Sequence, residues 1–243
     1  MADIRDFQQS GARTGAVVDL GLRSYMLRVY NYMTVALVLT AVAAYATFSM
    51  AFQGGELTSF GQAIYTGPAK WLVILAPLAL VFFISFRLHT LSLGAAQATF
   101  WIYAALVGVS FGSLGWNYTG ASIARVFLIT AAAFGALSLY GYTTKRDLTG
   151  WGSFLFMGLI GLIVASLVNM FFASSAMSFA LSVISVLIFT GFTAYDTQAI
   201  KETYYEGDGS TVAGHKAIMG ALRLYLDFIN LFLSLLRLFG NRN

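Results

Sequence analysis

The sequence predicts an all-α polytopic membrane protein of seven transmembrane helices, and three observations predict it. Of its 243 residues, 58% are hydrophobic. Asp, Glu, Lys and Arg together make up only 10%, against roughly 25% in soluble domains, so a water-facing exterior cannot be assembled, whereas a bilayer makes one unnecessary. Seven stretches also approach the roughly 20 apolar residues that a helix needs to cross about 30 Å of hydrocarbon.

In chain order, residues 1–28 read as a polar N-terminal tail, with Arg5, Arg13, Arg23 and Arg28 beside Asp3, Asp6 and Asp19. The tail lacks the apolar core of a cleavable signal, so the first apolar run is a retained span. The transmembrane domain covers 29–239, with spans at about 29–52, 69–86, 93–115, 123–143, 151–172, 176–199 and 217–239, and residues 240–243 form a C-terminal tail. Only 53–68 and 200–216 leave room for structure between spans, so no separate soluble domain is expected. Pro77 falls inside span two, where it can kink the helix. Gly158, Gly161 and Ala165 share one face of span five and suit close helix packing. Aromatic residues gather at span ends as interfacial anchors.

Nine basic residues flank one side of this arrangement: Arg5, Arg13, Arg23, Arg28, Arg87, Lys145, Arg146, Lys201 and Lys216. Four flank the other: Lys70, Arg125, Arg237 and Arg242. The excess places the N-terminus in the cytoplasm and the C-terminus outside. The net charge of +4 follows from this orientation, and no nucleic-acid partner is expected. With no cysteine and two histidines, disulfides, thiolate metal sites and haem electron transfer are poor readings, and no resident cofactor is expected. His89 and His215 read as solvated loop residues.

An ionisable residue inside a span costs about 2.5–3.5 kcal/mol on insertion scales, so each needs a reason. Three stand out: Asp196, Arg223 and Asp227. Asp196 lies five residues before Lys201, about 7 Å deeper at 1.5 Å per residue, on a helical face with Ser178, Ser182 and Ser185. In span seven, Arg223, Asp227, Asn230, Ser234 and Arg237 fall within about 80° of the helical wheel. Such a stripe on an otherwise apolar helix belongs at a bundle centre or along an aqueous path. A plainer alternative is that Arg223 and Asp227, four residues apart, neutralise each other.

The runs Ala194-Tyr195-Asp196-Thr197-Gln198-Ala199-Ile200-Lys201 and Leu224-Tyr225-Leu226-Asp227-Phe228-Ile229-Asn230-Leu231-Phe232, then Leu235-Leu236-Arg237, with Lys145-Arg146-Asp147-Leu148 between spans four and five, resemble the Bax inhibitor-1 family. The likeness, to bacterial members, covers about residues 20–240. It implies a seven-helix fold with the last helix at the centre and a pH-sensitive calcium leak, or a calcium/proton exchanger, in the bacterial inner membrane. It further implies a gate formed by Asp196 and Asp227, which would also meet the metal ion, and an arginine at the end of helix two that pairs with them, for which Arg87 is the candidate. Family members often carry several basic residues there, whereas this chain reads Phe86-Arg87-Leu88-His89.

Two carboxylates about 4 Å apart repel by roughly 4 kcal/mol at an effective dielectric of about 20, so such a pair shares one proton. Protonated, it can join helices six and seven; deprotonated, it repels and offers oxygens suited to calcium. The expected sign is closed at low pH and open at high pH. Counting from the flanking lysines, however, the two aspartates differ in depth by about 8 Å, an offset that helix tilt or a start of span seven after His215 would close. Calcium ions, protons and the lipid bilayer are the expected partners, and no protein partner is legible. An enzyme is not expected. The competing readings are an aspartyl intramembrane protease, which would need Gly-x-Gly before its second aspartate where this chain has Leu224-Tyr225-Leu226, and a non-transporting membrane scaffold.

Overall fold

The computed structural model describes the backbone from Ile4 to Asn243 and side chains from Leu20 onward. Among the described residues, seven helices are long and apolar enough to cross a membrane. They are α1 (Ile4–Ala51), α2 (Lys70–Arg87), α3 (Leu93–Phe111), α4 (Gly120–Thr143), α5 (Thr149–Phe172), α6 (Ser175–Glu202) and α7 (Ser210–Phe239). Residues 1–3 of the expected tail lie outside the described residues, and from Ile4 on its backbone, Arg5 and Arg13 included, belongs to α1. The first span starts earlier than residue 29, with its apolar segment running from Leu20 to Ala51. The last helix also starts earlier than expected, at Ser210.

Local chemistry marks the boundaries. Between α1 and α2, strands β1 (Phe52–Gln53) and β2 (Glu56–Leu57) form a small antiparallel hairpin. Its turn is Gly54-Gly55, with φ of 59° and 85°, the left-handed pair that a tight two-residue hairpin turn requires. Ser92, Thr119 and Ser174 each accept a backbone N–H in the first turn of α3, α4 and α6, which satisfies donors that the helix leaves free. The Asp147 carboxylate accepts from Thr149 N at 2.8 Å and does the same for α5. Hydrogen bonds from Thr149 hold Asp147 below the ordinary carboxylate range.

The last helix is the centre of the bundle. In its most apolar window 72% of residues are buried, against 6–33% in the other six spans. It packs chiefly on α6, α1, α4 and α3, while α2 lies against α3 and α5 against α6, one layer further out. Tyr225 is fully buried and meets Phe100 and Tyr103 edge-on at 5.9 and 5.8 Å. Its hydroxyl lies 2.7 Å from Thr40 Oγ1, which is also 2.9 Å from the carbonyl of Ala104. α1, α3 and α7 are thus joined at mid-bundle.

Small residues set the separations. A Cβ on Gly141 of α4 would lie 2.2 Å from the Ala194 carbonyl oxygen of α6, and one on Gly108 of α3 would lie 2.4 Å from the Thr40 carbonyl oxygen of α1. A Cβ on Gly158 would lie 3.1 Å from Ile188 Cδ1, as expected for close packing, but one on Gly161 would meet nothing within 4 Å. Residues 240–243 are not a free tail. Asn241 N donates to Ser122 Oγ and Asn243 N to the Asn117 carbonyl, tying them to the α3–α4 connection.

Candidate functional site

The polar stripe of α7 lines a groove of about 700 Å³ whose other walls are α5 and α6. Arg223, Asp227, Asn230, Ser234 and Arg237 all contribute to it. From the first to the last of these, 14 residues at 1.5 Å each give a path of about 21 Å along the helix. Facing them from α6 are Ser185, Phe189, Phe192 and Asp196; from α5 come Ser166 and aliphatic side chains such as Leu162 and Ile163. One wall is therefore polar and the opposite wall is nearly all hydrocarbon.

Asp196 and Asp227 meet in this groove, side chain to side chain within hydrogen-bonding reach. Asp227 is only 4% exposed, and its Oδ2 is buried without a donor. Two carboxyl groups in contact share a hydrogen bond only when one carries a proton. The depth offset expected from the sequence is closed by the register of the two helices. Gly220 packs on Ile200 toward the α6–α7 connection, and Ser185 Oγ lies 2.6 Å from Ser234 Oγ further along. Between those two contacts Asp196 falls opposite the turn from Arg223 to Asp227. The lysines were poor depth markers because α7 starts at Ser210, before Lys216, and Lys216 Nζ reaches back to Asp208 at 2.6 Å and to the Thr203 carbonyl.

Arg223, one turn before Asp227, is the cation whose charge acts on both carboxyls. It makes no ion pair with Asp227: among the described residues, Lys216–Asp208 is the one salt bridge within 4 Å. The plainer reading, in which Arg223 and Asp227 neutralise each other by contact, is therefore not what the structure holds. Arg87 is exposed at the end of α2 and is not part of the groove. α2 packs chiefly on α3, and the turn that follows Arg87, residues 88–90, touches α7 near His215. Asn230 donates to the Leu226 carbonyl at 2.8 Å, and Ser234 donates to the Asn230 carbonyl at 2.7 Å.

The face expected to join Ser178, Ser182 and Ser185 to Asp196 divides. Ser185 and Asp196 line the groove, whereas Ser182 donates to the Ser178 carbonyl and the Ser178 hydroxyl accepts from Asn169 of α5. His215 is not a solvated loop residue. It lies inside α7, 7% exposed, with Nε2 3.0 Å from the Leu91 carbonyl oxygen and its ring 6.4 Å from that of His89. Sequence reasoning missed the α5 wall, because a helix apolar on all sides carries no sign of which face lines a cavity. It also missed Thr40, whose partner on α7 lies 185 positions away.

The family model described as "Inhibitor of apoptosis-promoting Bax1" matches residues 22–243. The chain belongs to the Bax inhibitor family. It is 49% identical over 225 residues to the inner membrane protein YbhL of Escherichia coli, covering 91% of this chain and 93% of that one. It is 51% identical over 230 residues to an uncharacterized protein of Rickettsia prowazekii, covering 92% of each. A third relative, an uncharacterized protein of Caulobacter vibrioides, is 47% identical over 237 residues, covering 94% of this chain and 92% of its own. In this Bax inhibitor chain the two aspartate-bearing runs lie on adjacent helices, and the arginine beside them comes from α7.

Proposed function

We propose that this Bax inhibitor family chain is a pH-sensitive calcium leak of the bacterial inner membrane, its N-terminus in the cytoplasm, with Asp196 and Asp227 as the gate. The observation that carries this reading is the contact of the two carboxyls inside a groove lined by the polar stripe of the central helix. With one proton between them the aspartates tie α6 to α7 and the path is closed. When that proton leaves, the carboxylates repel and expose oxygens to a hard divalent cation, with Asn230 and water completing the six to eight ligands calcium takes. Arg223 supplies positive charge to the opened pair. Arg87 is exposed and does not line the groove, and the proposed gate does without it.

The test is calcium entry into dye-loaded liposomes across pH 5–8, with potassium and proton controls. Wild type should conduct more as the pH rises. Asp227→Asn removes the shared titration, so its flux should lose its pH dependence. An unaltered pH profile in that variant would remove the gate assignment. No pH-dependent calcium flux in wild type would remove the leak itself and favour a non-transporting scaffold.

A further inference from the structure

A second groove, of about 540 Å³, lies between α1 and α4 on a different side of α7 from the aspartate pair. α1 packs on α3 and α7, and α4 on α6 and α7. The two helices therefore form walls, and Phe228 of the central helix forms the floor. Tyr30 of α1 hydrogen-bonds Ser138 of α4 across it. Most of the lining is apolar, including Met26, Leu27, Met33, Phe134 and Leu139. Leu27 and Leu139 are 52% and 63% exposed, which opens the groove sideways to the bilayer.

We infer that this groove binds one acyl chain of an anionic phospholipid from the leaflet at the end where α6 and α7 are joined. Three observations select that occupant. The groove's cation, Arg23, and Tyr142 lie together at that end, Tyr142 one residue from the end of α4. Lys201 is beside them, its Nζ on the Tyr142 carbonyl at 2.9 Å and 5.4 Å from the ring centre. From Arg23 to Thr34 the α1 wall runs 11 residues, about 16 Å, against about 15 Å for half of the hydrocarbon layer. A charged mouth over an apolar slot one leaflet deep matches a phosphate headgroup with its chain. Gly135 also lines the slot, and a Cβ there would meet nothing within 4 Å: the space above it is large enough for another molecule's atoms. Phe228 follows Asp227 directly, so an occupant would touch the helix that carries the pair, but the lipid site stands without the calcium reading.

Native mass spectrometry of the delipidated protein, titrated with phosphatidylglycerol and with phosphatidylcholine of the same chains, tests this. One cation near a membrane surface contributes about fivefold. With Arg23 and Lys201 at the mouth, phosphatidylglycerol should bind at least about fivefold more tightly, and Arg23→Gln should cut that preference by about fivefold. Gly135→Leu fills the slot and should weaken both lipids severalfold while thermal unfolding in lipid-free detergent is not lowered, since nothing lies within 4 Å of the new Cβ and the helix gains propensity. Equal affinity of wild type for both lipids overturns the inference, as does a Gly135→Leu protein that binds both like wild type. A wild-type dimer that Gly135→Leu dissolves also overturns it, because the occupant is then a second copy.

Discussion

Replacing Gly141 by Ala puts a Cβ 2.2 Å from the Ala194 carbonyl oxygen and 3.0 Å from both its carbonyl carbon and Thr197 Cβ. The nearest obstacle is backbone, which cannot swing aside, so α4 and α6 must part by about 0.8 Å to restore even a 3.0 Å contact. That movement stretches the bond between Ser138 Oγ and Thr197 Oγ1, now 3.0 Å, and disturbs Tyr30, which shares Ser138. Overpacking costs about 1–3 kcal/mol, and a hydrogen bond between membrane helices averages about 0.6 kcal/mol. The better helix propensity of Ala returns about 1 kcal/mol. The net loss is about 0.5–2.5 kcal/mol. Gly135→Ala, on the same helix with nothing within 4 Å of the new Cβ, keeps the propensity gain and should be stabilised by up to about 1 kcal/mol. Denaturant unfolding of both variants in detergent micelles, followed by circular dichroism, gives the two signs. A Gly141→Ala protein as stable as Gly135→Ala would refute the close approach of α4 and α6.

At mid-bundle, Thr40→Val leaves the Tyr225 hydroxyl buried without its partner and should cost about 1 kcal/mol. The double variant with Tyr225→Phe should lose less than the sum of the single changes, as read by a double-mutant cycle of unfolding free energies. In liposomes, Arg223→Gln should shift the pH midpoint of calcium flux while Arg87→Gln leaves it in place; the reverse result would return the pairing role to Arg87. Asp147→Ala should lower the melting temperature at neutral pH by fraying the start of α5. Because hydrogen bonding depresses the Asp147 titration below about 3.8, its stabilisation is complete above that pH and is lost as pH falls through the depressed value. The difference in melting temperature between wild type and variant should therefore shrink in strong acid.

Much of the candidate site was legible because it is written along single helices. The stripe from Arg223 to Arg237 is a 3.6-residue periodicity, and the structure lines one groove with all five of its members. Asp196 and Asp227 were conspicuous for a different reason, the cost of a carboxyl in hydrocarbon. What failed was inference across connections. Depth counted from Lys201 and Lys216 misplaced the aspartates, since a lysine side chain reaches several ångströms from its own backbone and α7 extends beyond Lys216. His215 was misread as a loop residue for the same reason. Arg87 rests on resemblance alone; it does not line the groove, although the turn that follows it touches α7.

By itself the sequence determined the solvent of this protein, the number of its spans and which faces of its helices are polar, because each follows from composition and short-range periodicity. Only the tertiary structure decided which faces meet. That Asp196 touches Asp227, that α5 closes the groove and that Arg223 stands beside the pair all depend on how far and at what register α6 and α7 slide past each other. Contacts at Gly220–Ile200 and Ser185–Ser234 set that register, and they join residues separated along the chain by whole turns of helix and a connection. No local pattern encodes such a distance.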